Sequence, residues 1–468
     1  MKPTLKPNSK NPPGPIRSWF GLPWLFAMRK DYLAFIQSLQ RNYGDITYLS
    51  VFREAIVDIH SPELTRNALV ENASNLIRWP RVIEIFSQGL GSENVLMAEG
   101  AKWQRLRRML QPGFTPRRCA AYAQLMVDAA RTSLDRVVPQ GQSQAIVDVD
   151  TLTNTITMDV ILRTLFSKAA PDDVANAARA TRLLSELALS EMFQPFTLPM
   201  WVPTRGNRNK RWAILTLKNL ITGEIADRKR RLADNLTAVP HNDLLAMLLD
   251  ARDEGAADSQ SLTVTELQDQ CVVMFQAGHE TSATALLWWC RLMAQHPDAA
   301  SKAYDEVKQV LGGRDPTPDD CPKLDWLSAT LKEAMRLYPP IPVLMSRHTQ
   351  QTAQIGPWTI APKTMVRFSP WVIHHDPRWF PDPTQYRPER FTQEAPPIER
   401  GAYIPFGTGP RVCIGQHFAM LEMTLIAAML VQRYHISLLN ADEPMPETHM
   451  AVTLRPATPV RLQFAIRS

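Results

Sequence analysis

Cysteine is scarce. There are five in 468 residues, an odd number, scattered as Cys119, Cys271, Cys290, Cys321 and Cys413. That excludes a disulfide-stapled secreted scaffold and fits a reducing compartment. No stretch approaches the ~18–20 continuous apolar residues of a membrane-spanning helix. The N-terminus, MKPTLKPNSKNPPGPIRSW, also lacks the apolar core of a secretory signal. A cytoplasmic protein without a transmembrane span is expected. Acidic residues are fewer than basic ones, 46 against 52, for a net charge of +6. Even so, zinc-finger spacing and a basic helix leading into heptads are both missing, so no nucleic-acid partner is expected. Internal repeats and low-complexity linkers are missing too. Proline, by contrast, is abundant at 38 residues. It concentrates in 3–16, 339–342 and 381–397, where it makes fixed loops. The expectation is a single domain over 1–468, opening with a proline-rich segment, 1–20, and large enough to bury a sizeable core.

Two short runs, ITYLSVF and EAIVDIH, suggest a small hairpin. From about residue 100 to 340 the apolar spacing is mostly helical. The clearest helix starts at Thr263, where Glu266 completes capping-box spacing, and runs to Gln295. At 1.5 Å per residue it spans roughly 50 Å, enough to cross a domain. A second helix, DWLSATLKEAMRLY, stops at Pro339–Pro340. Short strand-like pieces follow: MVRFSPWVI, HISLLN and VRLQFAI. The fold class is mainly α with small β-sheets.

Polar residues interrupt the long helix at FQAGHETSATALLWW. Thr281 lies four residues after Ala277 and can bond back to its carbonyl, with Gly278 easing a widened turn. Such a notch, lined by Glu280 and Thr281, could hold a small polar ligand and relay protons. A satisfied buried Thr and a salt-bridged Glu fit the same stretch equally well. Glu333 and Arg336 are neighbours on one helix face, with Arg390 a possible third member. Trp103 and Arg107 also share a helix face, an arrangement that suits a carboxylate. The basic clusters Lys102–Arg118 and Arg205–Arg231 read first as solvated faces.

Cys413 differs from the other cysteines. In FGTGPRVCIG it is surrounded by Gly407, Gly409 and Gly415, which let a bulky group approach the backbone. A helix start here would turn N–H donors toward the sulfur and favour thiolate. One thiolate alone cannot close a zinc site, but it can be the single protein ligand of a porphyrin iron. Arg411, Arg107 and Trp103 would then bind the carboxylates of the haem.

Taken together, WQRLR, AGHETS, KEAMR, YRPERF and FGTGPRVCIG resemble the signatures of the cytochrome P450 family, in that family's order, from residue 103 to 415. The resemblance implies that fold, with a long central helix and a Cys-ligand loop, and haem b (iron protoporphyrin IX) as cofactor. It makes Cys413 the axial iron ligand, with Phe406 packed against the sulfur side of the ring. Trp103, Arg107, Arg347 and Arg411 become propionate ligands, and Gly407, Gly415 and Ala277 line the haem. Glu333, Arg336 and Arg390 match a structural triad, and Glu280 with Thr281 an acid–alcohol pair. Departures are small: Tyr386 where Phe is usual, and Ser282 where Thr is common.

The implied activity is a monooxygenase that inserts one oxygen atom from O2 into a small apolar or amphipathic organic substrate, by hydroxylation or epoxidation. A peroxide-driven peroxygenase and a non-catalytic haem sensor or electron carrier are the alternatives. Too little chain follows Cys413 for a flavin or ferredoxin domain. Electrons are therefore expected from NAD(P)H through a reductase and a separate ferredoxin or flavodoxin, docked on the basic helix around Arg105, Arg108 and Arg117. A monomer is expected. Segments 86–100, 187–201 (with Phe193, Phe196 and Trp201) and 339–345 would wall the substrate pocket.

Overall fold

The computed structural model describes residues 11–16, 19–167, 171–194, 197–234, 243–253 and 260–467. Its longest helix, Val264–Gln295, begins with reciprocal bonds between Thr263 and Glu266, each side chain accepting the other's backbone N–H at 2.9 and 3.1 Å. Two otherwise orphaned end donors are thereby satisfied. The helix passes through the core, where Trp288, Trp289 and Cys290 have no exposed surface. It stays α-helical through 277–281, so the expected widened turn is absent. Gly278 serves close packing instead. A Cβ there would stand 2.9 Å from Ile161 Cδ1, so glycine lets the helix Val149–Phe166 lie close against the central one.

The hairpin forms as expected, Ile46–Val51 against Glu54–Ile59. It is one edge of a five-stranded sheet that continues through Thr364–Phe368, Arg347–Thr349 and Leu76–Arg78. The run MVRFSPWVI is only partly strand. Ser369 accepts the Val372 N–H and Pro370 opens a short helix, Pro370–His374, because proline suits a first helical turn but not a continuing strand. HISLLN and VRLQFAI pair as Tyr434–Leu438 and Arg461–Ile466 in a second sheet, with Gln144–Asp148 on its other edge.

The helix Asp325–Leu337 carries Glu333 and Arg336, both wholly buried. Arg336 donates Nε and Nη2 to the two Glu333 oxygens at 2.7 and 2.8 Å. Its remaining donors go to the carbonyls of His374, Pro383 and Gln385. Arg390 Nε approaches Glu333 Oε1 at 3.4 Å, so the three residues do meet. A buried ion pair is tolerable only when its donors and acceptors are used up in this way. Among the described residues, no helix is long and apolar enough to cross a membrane.

Candidate functional site

One cavity of about 800 Å³ lies between the central helix, the cysteine loop and the first sheet. Trp103, Arg107, Ala277, Glu280, Thr281, Arg347, Phe406, Gly407, Arg411, Cys413 and Gly415 all line it. These residues come from four separate stretches of chain, and folding brings every one of them to the same cavity.

The loop is shaped by its glycines. Gly409 has φ +76°, and a Cβ there would be 2.2 Å from the Leu69 carbonyl oxygen, so no other residue fits. Cys413 donates its N–H to the Phe406 carbonyl at 3.0 Å, closing the loop under its own side chain. Its exposed sulfur surface faces the cavity. The helix begins later than expected, at Gln416 with Gly415 as its cap. Desolvation inside the cavity pushes the Cys413 thiol up, while the Gly415 N–H and the Arg107 guanidinium act the other way. Burial also raises Cys119 and Cys321, each to about 11, and Cys290 to about 12.

Trp103 and Arg107 sit on Gly100–Leu110. Arg107 donates to the Val412 carbonyl at 2.9 Å, fastening this helix to the cysteine loop. Arg411 lies over the Trp103 ring at 4.4 Å and donates to the Ala98 carbonyl and the Glu99 carboxylate. Beside it, Arg347 and Arg78 face each other across paired strands. Both are buried, with Arg347 Nη1 and Arg78 Nε and Nη1 unpartnered among the described residues. Burial, then the neighbouring Arg411, lowers Arg347 to about 10. Burial, then the Arg347 charge, holds Arg78 well below its ordinary value. Buried guanidinium donors without acceptors are costly, and an anionic group in the cavity would find donors at this corner. Sequence reasoning missed Arg78 and Glu99. The available signal was an arginine inside the apolar run NLIRWP.

Thr281 donates to the Ala277 carbonyl at 3.0 Å from the cavity wall. Glu280 turns elsewhere. Its Oε1 accepts from Thr453 Oγ1 at 2.8 Å and Arg455 Nη2 at 2.9 Å, which makes it the buried salt-bridged Glu of the plainer sequence reading. The basic helix is less free than expected, because Arg105 pairs with Glu266 and Arg108 with Asp253. Within the second cluster, Lys210 and Arg228 are buried against Glu191 and Asp243, which corrects its reading as a solvated face. Cavity-lining residues do come from 86–96, 188–194 and 340–345, Phe193 among them. Trp201 is exposed away from the cavity, and Phe196 lies outside the described residues.

The family model for Cytochrome P450 matches residues 12–464. Among curated relatives, the cyclooctat-9-en-7-ol 5-monooxygenase of Streptomyces melanosporofaciens is 31% identical over 429 residues, 90% of this chain and 87% of that protein. The cyclooctatin synthase of the same organism is 32% identical over 434 residues, covering 92% of this chain and 91% of its own. The echinocystic acid 23-monooxygenase of Saponaria officinalis is 30% identical over 454 residues, covering 92% and 84%. With its cavity, cysteine loop and family match in agreement, this chain belongs to the cytochrome P450 family and is a haem b monooxygenase.

Proposed function

We propose that Cys413 is the protein ligand of the haem iron and that the cavity above it accepts an apolar, terpenoid-like substrate. The observation that carries this is the donor set. A lone cysteine sulfur faces a cavity that is also lined by buried, partly unpartnered guanidinium groups. Those residues fit a haem: Arg78, Arg347, Arg411, Arg107 and Trp103 would hold its carboxylates, and Phe406, Gly407, Gly415 and Ala277 would flank the ring. When bound, the haem supplies the oxygen-activating chemistry. The protein's own part is to bind, orient and manage protons. Arg107 helps stabilise thiolate at Cys413, and Thr281 would offer its hydroxyl at the cavity as a proton donor. Glu280 anchors that turn of helix through Arg455 and could exchange protons only by loosening that pair.

The apolar lining and relatives whose names place oxygen on cyclooctat-9-en-7-ol and echinocystic acid support a terpenoid-like substrate. The chain would work as one haem domain over 1–468, as a monomer. Electrons would come from NAD(P)H by way of a reductase and a separate ferredoxin or flavodoxin. A cytoplasmic setting fits its five cysteines, all free. The test is ligation. Reduced protein under carbon monoxide should show the strongly red-shifted Soret band of thiolate-ligated haem, and Cys413→Ala should abolish it. Persistence of that band in the variant would remove Cys413 from the role.

A further inference from the structure

The helix Pro171–Met192 covers one side of the cavity. Its lining residues fall at helical spacing: Leu184, Ala188, Leu189 and Met192 are apolar, but Thr181 and Ser185 are not. These two residues stand one turn apart on the same face, only 2% and 6% exposed. Neither has a hydrogen-bond partner among the described residues. The usual local solution is to donate to the carbonyl four residues back, and Thr153, Thr157, Thr164 and Thr284 all do so elsewhere in this chain. At Thr181 and Ser185 that bond is not made. Two adjacent buried hydroxyls without partners, on residues that line an apolar cavity, favour a polar group on what fills it.

We propose that Thr181 and Ser185 form a specificity subsite for one neutral oxygen function, an alcohol or ketone, on an otherwise apolar substrate. This rests on the reading of the cavity as the substrate site. Hydroxyls both donate and accept, so the pair suits an oxygen that is neither anionic nor cationic. A carboxylate is a poorer match because the cations on this side are already used. Lys210 holds both oxygens of Glu191 at 2.7 and 2.6 Å, and Arg81 donates to the carbonyls of Glu191 and Gln194. Holding the substrate oxygen on this helix selects which carbon is presented toward the cysteine side. The subsite therefore governs regioselectivity as well as affinity.

The test uses haem-loaded protein and ligands of matched size: cyclododecane, cyclododecanol and cyclododecanecarboxylate. Binding is followed by calorimetry and by the spin-state shift, so a ligand seated away from the iron still counts. In the unaltered protein cyclododecanol should bind about tenfold more tightly than cyclododecane, as two net hydrogen bonds would give. Thr181→Val keeps the side-chain shape, and Ser185→Ala removes only the oxygen. Each should lower the alcohol affinity roughly threefold, and both together should bring it near that of the hydrocarbon, whose own affinity stays unchanged. Equal weakening of alcohol and hydrocarbon, no preference in the unaltered protein, or tightest binding by the carboxylate would overturn the subsite. Failure of the functional reading looks different: the unaltered protein would then lack the red-shifted carbon monoxide band. That band, measured in each variant, also confirms an intact haem pocket.

Discussion

Thr281 and Glu280 are adjacent in sequence but do different things. Thr281 presents its hydroxyl at the cavity while bonded to Ala277, and Glu280 is held by Thr453 and Arg455. If the threonine hydroxyl guides protons, Thr281→Ala should leave haem content and the substrate-induced spin shift nearly intact. Reductant consumption should continue, product per reductant should fall severalfold, and hydrogen peroxide should rise. Measuring all three in one reconstituted assay decides it, since wild-type coupling in the variant would make the hydroxyl merely structural. Glu422 raises a separate question of charge. It lies fully buried on Gln416–Arg433 with neither carboxylate oxygen hydrogen bonded. Burial raises its pKa to about 8, and the nearby Ser282 hydroxyl opposes this without reaching hydrogen-bond geometry. The folded protein thus keeps a proton that the unfolded chain releases near pH 4.5. Stability should therefore fall as pH rises from about 4.5 to 8, by up to ~5 kcal/mol, and level off above. Glu422→Gln should melt close to the wild type at pH 5 and clearly above it at pH 8. Parallel melting curves across that range would show the carboxyl to be hydrated.

At the scale of elements, the helix Asp325–Leu337 depends on a charged group with no access to water. Arg336 spends its guanidinium on Glu333 and three carbonyls, and Glu333 Oε1 also accepts the Arg387 N–H at 2.9 Å. These bonds tie the helix to the proline-rich segment 381–390, which leads on toward the cysteine loop. Removing one partner strands the other charge, at about 3–5 kcal/mol. Glu333→Ala or Arg336→Ala should yield little soluble haem-loaded protein, and what is recovered should melt well below the wild type in calorimetry. Unchanged melting would mean that the ion pair adds nothing to the stability of the fold. These motifs were readable in the sequence because their spacing is local, three residues on a helix or a glycine before a turn. The switch at Ser369–Pro370 from strand to helix was also signalled locally, by a cap residue and a proline, but the apolar run concealed it.

For the whole molecule, the cavity corner is a charge problem that the polypeptide leaves unsolved. Arg78, Arg347 and Arg411 converge there, with Glu99 the acidic side chain bonded to Arg411. A ligand that binds only the folded state stabilises it by mass action, about 2.7 kcal/mol at a hundredfold excess over its dissociation constant. Haem removal should therefore lower the melting temperature. Arg78→Leu should narrow that gap from both ends. The apoprotein should gain stability by losing an unpaired buried charge, and the haem should transfer faster to apomyoglobin. A destabilised apoprotein with unchanged haem retention would place Arg78 outside the carboxylate corner.

The sequence alone determined whatever depends on neighbours along the chain: the capped central helix, the hairpin, the paired Glu333 and Arg336, and the glycine-flanked Cys413. Helical and turn preferences act over a few residues, so their signals survive without a fold. Tertiary structure decided what depends on residues far apart. It set Glu280 against Arg455, brought Arg78 opposite Arg347, buried Lys210 and Arg228, and left Thr181 and Ser185 unpaired on the cavity wall. Burial and the identity of a long-range partner set the charge state and role of each of these groups, and neither is encoded in local spacing.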